Sequence, residues 1–419
     1  MTTNRWRVLV GAGLLAALAG TACSSSGSSG KSSAGATTTA PDTASLGPVK
    51  NATGAPLKIG YIYAGQAQNQ DNTNELTIAK ATAKYVNEHL GGIAGRPLEL
   101  VECADLLTPA GATDCGNQML AAKVAAVLSS TPANPAPILK LLEPAKVPLL
   151  TQTGADTSAL FSPDSAVLNN PLIIVAAPIK VAKDAGVKKV AMMYVDVPAA
   201  GQLKSIGQTL FQKAGLELLP TAVPLGTPDL TPQVQAALSS GAQMFVVIGD
   251  TSLCVNGLKA LKTLGFTGKV ATNINCLTDK SAKSIPGGFD GLIVPTTYVN
   301  DGSNPDSQLL RAIAATYAPG TPTDETGHAV QGFVTTMAFV RAMKALKPDA
   351  ADAAGITAAL AAMSPQPLPA LPGQTFQCNR THSTLTPAVC SNGASILTLD
   401  GNGKATKSET FDATPYLKT

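Results

Sequence analysis

The chain has 419 residues, too many for one ordinary core, and at roughly 100 to 200 residues per domain it implies two or three units. Hydrophobic content of 45% against 14% charged residues excludes a wholly disordered chain. Lys and Arg number 30 against 27 Asp and Glu, a formal charge of +3 without basic runs, which argues against nucleic acid as the main partner.

Arg5 and Arg7 precede an apolar stretch from Val8 to Ala19 that ends in small residues before Cys23. This is the layout of a removable secretory signal over 1–22 rather than of a spanning helix of ~20 residues. The only Trp, Trp6, falls inside it. The stretch ALAGTAC resembles the lipobox of bacterial lipoproteins, in which the cysteine becomes the lipidated first residue; this makes Cys23 the anchor point. Gly20 stands where Leu is usual, and ordinary cleavage after Ala22 without lipid is the alternative. The following Ser, Gly, Thr and Ala residues, within 23–55, cannot bury apolar surface and read as a flexible tether.

From Leu57 onward short β-branched runs alternate with amphipathic stretches, the pattern of βαβ units and a parallel sheet. The first strand is LKIGYIY, ending at Tyr63, and a helix is predicted over 74–90. In it Leu76, Ala79, Ala83, Val86 and Leu90 recur at helical spacing, and Gly91-Gly92 stops it. Strands follow over 98–102, 124–128 and 147–151. A second series begins after LIIVAAP, with strands predicted over 188–195, 216–223, 244–248, 269–272 and 291–295, and helices over 202–214, 232–239 and 252–264. The region 305–346 reads as mainly helical, and SILTLDGNGK as a hairpin turning at 401–403. Two consecutive series of similar length predict an α/β protein with two open, doubly wound sheets; one eight-stranded barrel is the alternative.

Setting Cys23 aside leaves six cysteines, an even number in an exported chain, and they fall in three local pairs: Cys103 with Cys115, Cys254 with Cys276, and Cys378 with Cys390. Disulfides are expected rather than a metal site, because CxxC is absent and His89, His328 and His382 are scattered. No cofactor is expected. GxSxG, HExxH and a Walker A loop are also missing, and the single SxxK, Ser28 to Lys31, lies in the tether, so the chain does not read as an enzyme.

The succession LKIGYIYAG, NEHLGGIAGRPLEL and SSTPANPAPILKLLEPAKVPLLTQTGADTSAL resembles the branched-chain amino-acid (Leu/Ile/Val) type of periplasmic substrate-binding protein of ABC transporters, over roughly Pro56 to Leu346. The resemblance implies a type I periplasmic-binding-protein fold, two α/β lobes crossed three times by the chain. On this sequence the crossings fall near Val175 to Pro178, near Val294 to Thr297, and between Leu371 and Leu399. Lobe one is then 56–176 plus 298–372, and lobe two 177–297 plus 373–417.

Ligands of open α/β sheets sit at the carboxyl ends of the strands, which directs attention to the loops 64–71, 129–134 and 151–157 in lobe one and 196–201, 249–252 and 272–275 in lobe two. Tyr63 borders the first of these and Gln66 lies within it. The resemblance implies that a ligand carboxylate is held by Ser129, Ser130, Thr153, Gly154, Ala155 and Asp156. Lobe two offers Asp250, Thr251, Asn273 and Asn275. Family members place a hydroxyl at Asp156, an aromatic near Thr251 and a carboxylate near Ile274, and this chain departs at all three. Asp156 and Asp250 either hold a ligand ammonium jointly or serve as helix caps.

The expected function is an extracytoplasmic solute-binding lipoprotein, a monomer anchored to the outer face of the cell membrane. It would capture a small polar solute, an amino acid or related compound, and deliver it to the permease and ATPase of an ABC importer. A ligand-sensing module reporting to a membrane signalling partner is the alternative.

Overall fold

The computed structural model describes residues 43–67, 70–154, 156–196, 198–323, 328–383 and 386–417. The signal, Cys23 and Ala155 lie outside the described residues.

Lobe one begins with β1 (Leu57–Tyr63), a small hairpin of β2 (Gln66–Ala67) and β3 (Gln70–Asp71), and helix α1 (Thr73–Tyr85). It continues through β4 (Leu98–Ala104), α2 (Pro109–Ala122), β5 (Val127–Ser129), α3 (Pro135–Leu142), β6 (Leu149–Thr151), α4 (Thr157–Phe161) and β7 (Ser165–Val167). The strands form a parallel sheet in the order β4-β1-β5-β6-β7. Alternation along each strand sorts its side chains between two cores. Leu57, Ile59, Tyr61, Leu128 and Leu150 face one, and Ile62, Val127, Leu149 and Val167 face the other, beneath α2, α3 and α4. The predicted helix ends as foreseen at Gly91, which takes a left-handed conformation with φ 77°, after a π-turn over Val86–Leu90.

Lobe two comprises α5 (Ile173–Asp184), β8 (Lys189–Val195), α6 (Pro198–Lys213), β9 (Glu217–Val223), α7 (Thr231–Ser239), β10 (Met244–Ile248), α8 (Thr251–Thr263), β11 (Lys269–Thr272), α9 (Asp279–Ser284) and β12 (Ile293–Thr296). The chain then returns to lobe one as α10 (Pro305–Tyr317), α11 (His328–Ala342), α12 (Ala353–Ala362), β13 (Gln366–Pro367) and β14 (Thr375–Phe376). It finishes in lobe two with the hairpin β15 (Gly393–Leu399) and β16 (Ala405–Asp412). The second sheet has the order β16-β15-β12-β11-β10-β8-β9, in which β15 alone runs antiparallel to the others, pairing with β12 on one side and β16 on the other. Two open sheets, not a closed barrel, are what the structure holds.

The passages between lobes differ in detail from expectation. The first crossing does not fall at Val175 to Pro178. Ile173–Asp184 is helical with Pro178 inside it, and Val175, Ala176, Ala177 and Ile179 lie in the core under the second sheet. The first crossing therefore lies at Leu168–Leu172, between Leu168 of the first core and Leu172 of the second. The second passes through Thr296 and Thr297, since Tyr298 already packs in the first core. The third runs through Ser391 and Asn392, later than the 372/373 boundary drawn from sequence. Phe376, Cys378 and Cys390 belong to the first core, and Val389 bridges to Val167 at the edge of the first sheet. Crossings one and three are tied together where Asn170 Nδ2 donates to Asn392 Oδ1 at 2.9 Å and Asn170 N donates to the Ser391 carbonyl at 3.1 Å.

The cysteines pair locally, Cys103–Cys115, Cys254–Cys276 and Cys378–Cys390, with Cα separations of 5.5, 5.4 and 4.3 Å.

Candidate functional site

On lobe one, β5 and β6 end side by side, with Ser129 opposite Thr151. The loops that leave them are stitched together: the Ser130 carbonyl accepts from Gln152 N at 3.0 Å and from Thr153 N at 3.1 Å. Gly154 is buried, and a Cβ there would stand 3.1 Å from Leu160 Cδ2, so the backbone passes close over α4. Asp156 is the N-cap of α4, and its Oδ1 accepts from Ser158 N at 2.8 Å and from the Ser158 hydroxyl. Tyr63 closes β1 half-buried, its phenol pushed up by burial first and then by the Glu102 charge. Gln66 Nε2 donates to Asp71 Oδ2 at 3.3 Å across the small hairpin, while the Thr73 N–H and hydroxyl hold the Asp71 carboxyl below its usual range.

Directly beneath Ser130 lies Glu75, in the first turn of α1 and only 1% exposed. Its Oε1 accepts from Ser130 Oγ at 2.6 Å and from Tyr61 OH at 3.0 Å. Burial pushes its carboxyl up to about 7, against the pull of hydrogen bonds from the Ser130 and Tyr61 hydroxyls, Asn72 and the Ser130 backbone.

On lobe two, Asp250 is the N-cap of α8 and accepts from Leu253 N at 2.9 Å, with Thr251 as the first helical residue. Asn273 Nδ2 donates to the Gly249 carbonyl at 3.2 Å, which joins the loops leaving β10 and β11. The Cys254–Cys276 bond fastens the same two loops. Asn275 lies in the short turn Ile274–Cys276. Ile274, where the family usually places a carboxylate, packs against the hydrophobic core of lobe one, so this loop meets the opposite lobe. At the base, Gln152 Nε2 donates to Thr297 Oγ1 of the second crossing at 3.1 Å.

The structure thus gathers Ser129, Ser130, Thr153, Gly154 and Asp156 on one side, Asp250, Thr251, Asn273 and the Asn275 backbone on the other, with Tyr63 and Gln66 at the β1 exit. One implied role changes, and the capping alternative read for the two aspartates is met. Ser130 turns its hydroxyl down to Glu75, and both aspartates commit one carboxylate oxygen to a helix cap. Sequence reasoning missed Gln152, Thr297 and Glu75. For Glu75 a signal existed: it stands three, four and seven residues before Ile78, Ala79 and Thr82, in the stripe that the helix buries. Cavities of about 480 Å³ beside Lys58 and Lys123 and about 400 Å³ beside Gln243 and Lys269 open at the amino ends of the strands, opposite to these loops. Their position rules them out as part of this site. Among the described residues no group of His, Cys, Asp and Glu could hold a metal ion, and no helix is long and apolar enough to cross a membrane.

Two doubly wound lobes with polar strand-end loops turned toward a triple crossing define a solute-binding protein of the two-lobed type. The chain belongs to the periplasmic binding protein family, whose profile matches residues 56–389. No curated protein matches it in sequence. Among solved structures it is similar to an ABC transporter substrate-binding protein from Sphaerobacter thermophilus, at 16% identity over 84% of this chain and 98% of that one, TM-score 0.69. It is likewise similar to a solute-binding protein from R. palustris in complex with 4-hydroxybenzoate, at 19% identity over 86% and 98%, TM-score 0.67. A third is the branched-chain amino acid transporter substrate-binding protein LivJ from Streptococcus pneumoniae in complex with isoleucine, at 16% identity over 85% and 99%, TM-score 0.65. Members of this family bind solutes outside the cytoplasm and are not enzymes.

Proposed function

We propose that this protein captures a small solute bearing a carboxylate between its lobes and hands it to an ABC importer, held at the outer face of the membrane by lipid on Cys23. The observation that carries the ligand class is the character of the lobe-one loops: hydroxyls and close-packed backbone around Ser129, Thr153 and Gly154, with no basic side chain among them. Hydroxyls and backbone N–H groups suit a small anion. 4-Hydroxybenzoate and isoleucine, the ligands of two structural neighbours, share that group. The capping roles of Asp156 and Asp250, together with Ile274 in place of a carboxylate, favour an organic acid without an ammonium over an amino acid. Closure around the ligand would be absorbed at the three crossings, because only a solute that touches both lobes shifts that equilibrium.

A thermal-shift series with 4-hydroxybenzoate, isoleucine, leucine and neutral polyols tests this. A ligand at a hundred times its Kd stabilises the native state by about 2.7 kcal/mol. Stabilisation by acids is the expected result, and stabilisation by polyols alone would overturn it. Mass spectrometry of the membrane fraction, with diacylglyceryl on Cys23 expected, tests the anchor.

A further inference from the structure

We propose that Glu75 is the positioning residue of the lobe-one binding loop, holding Ser130 from below so that Ser129 and Thr153 are presented to the solute. The inference rests on the reading of 129–134 and 151–157 as binding loops. Glu75 is itself sealed from the site and acts through a chain of contacts. Both donors of Ser130, its N–H and its hydroxyl, turn to the Glu75 carboxyl, and the Ser130 carbonyl in turn accepts from Gln152 N and Thr153 N. The helix that carries Glu75 is itself held close, because Gly332 of α11 lies directly against the Glu75 backbone carbonyl.

No cation faces it. The charged and titratable groups on the elements packed against α1 are Lys58, Tyr61 and Tyr63 of β1, Glu99 and Glu102 of β4, Asp306, Arg311 and Tyr317 of α10, and His328 and Arg341 of α11. Lys80, Lys84 and Tyr85 share its own helix, with Glu88 and His89 in the turn beyond. Lys80 pairs with Glu102, and Arg341 with Asp306. Of these groups Tyr61 is the one hydrogen-bonded to the carboxyl, and burial together with the Glu75 charge keeps that phenol protonated.

A buried acid without a counter-ion couples loop order to pH. In the closed loop Glu75 titrates at about 7, whereas the hydrated carboxyl of an opened loop returns to its ordinary 4.5. Opening therefore releases a proton. The loop is held most firmly below about 4.5, is progressively loosened as pH rises to about 7, and changes no further above that. The opening constant rises by at most about tenfold per pH unit, roughly 300-fold in all.

Amide hydrogen exchange of the full chain, read on peptides covering 126–134 and 149–154 between pH 5 and 8 and corrected for intrinsic rates, needs no ligand. Wild type should lose protection up to about pH 7 and then level. Glu75→Gln should remove that dependence. Ser130→Ala, which takes the hydroxyl donor from the carboxylate and leaves the N–H, should move the levelling point to higher pH, and it decides the matter alone if Glu75→Gln does not fold. His328→Gln, which replaces the imidazole at the start of α11, should keep the wild-type profile. A wild-type loop without pH dependence, or an unchanged dependence in Glu75→Gln, would overturn the proposal. Titration of wild type with 4-hydroxybenzoate at pH 6 and pH 8 separates the two readings. Absence of binding alongside the expected exchange profile faults the ligand class and not Glu75, and binding alongside a flat profile faults Glu75 alone.

Discussion

Gly332 and Gly207 both sit inside helices, yet the same substitution should move stability in opposite directions. At Gly332 an added Cβ would press on the Glu75 carbonyl oxygen and lie 3.0 Å from Ala79 N and 3.1 Å from the Glu75 carbonyl carbon. All of these are backbone atoms of α1, so no side chain can swing aside and the two helices must part. Overpacking of this kind costs about 1 to 3 kcal/mol. Helix propensity returns at most about 1 kcal/mol for Gly→Ala, and because the contacts here are to unyielding backbone the upper part of the range applies, which leaves a net loss of up to about 2 kcal/mol. At Gly207 in α6 the nearest atoms would be Leu218 Cδ2 at 3.5 Å and Val175 Cγ1 at 3.8 Å, ordinary van der Waals contact, so the propensity gain stands alone. Thermal melts of the two variants beside wild type check this, at roughly 2 to 4 °C per kcal/mol for a lobe-sized unit. Gly207→Ala should melt at or above wild type and Gly332→Ala several degrees below. A Gly332→Ala protein as stable as wild type would refute the close crossing of α1 and α11.

Asp156→Ala and Asp250→Ala should each cost about 1 kcal/mol in thermal melts as lost N-caps, while the Asn replacements should change stability little, because Asn caps about as well as Asp. Calorimetry on the same Asn variants should leave solute affinity nearly unchanged; a tenfold to hundredfold loss, the scale of a charge-assisted bond worth roughly 1.5 to 3 kcal/mol, would instead assign the aspartate to a ligand ammonium. Peptide mapping without reduction should recover Cys103–Cys115, Cys254–Cys276 and Cys378–Cys390, and a main Cys103–Cys254 species would contradict the pairing. Replacing Cys254 and Cys276 together by Ser should lower stability by about 3 kcal/mol, the scale for closing a loop of this length.

Much of the lobe-two series was legible because its signals are local. Runs such as KVAMMYV and MFVVI announce buried parallel strands by their apolar continuity, and Gly91 marks the end of the first helix by the backbone conformation it permits. The cysteine pairs were legible for the same reason, since short spacing already brings partners near each other. The loops of the site followed from strand order, because the carboxyl end of each strand is fixed once the strand is recognised. Which atoms those loops aim outward was not. A serine hydroxyl reads the same in sequence whether it meets a ligand or a buried acid.

What only the tertiary structure decided concerns burial from several sides at once. Periodicity identified an apolar stripe on α1 through Leu76, Ala79 and Ala83, but α10 and α11 return from more than two hundred residues away to cover further faces, which buries Glu75, Ile78 and Thr82 as well. The helix over Ile173–Asp184 survives an internal proline for a related reason. Its apolar residues find a core in lobe two, and tertiary packing of that kind outweighs local propensity. The stretch 373–390 likewise joins lobe one through a bridge between Val389 and Val167 and a core position for Phe376. Sequence pattern determines which surface a segment must hide; which distant element arrives to hide it, and hence which polar group is trapped between them, is settled only when the whole chain packs.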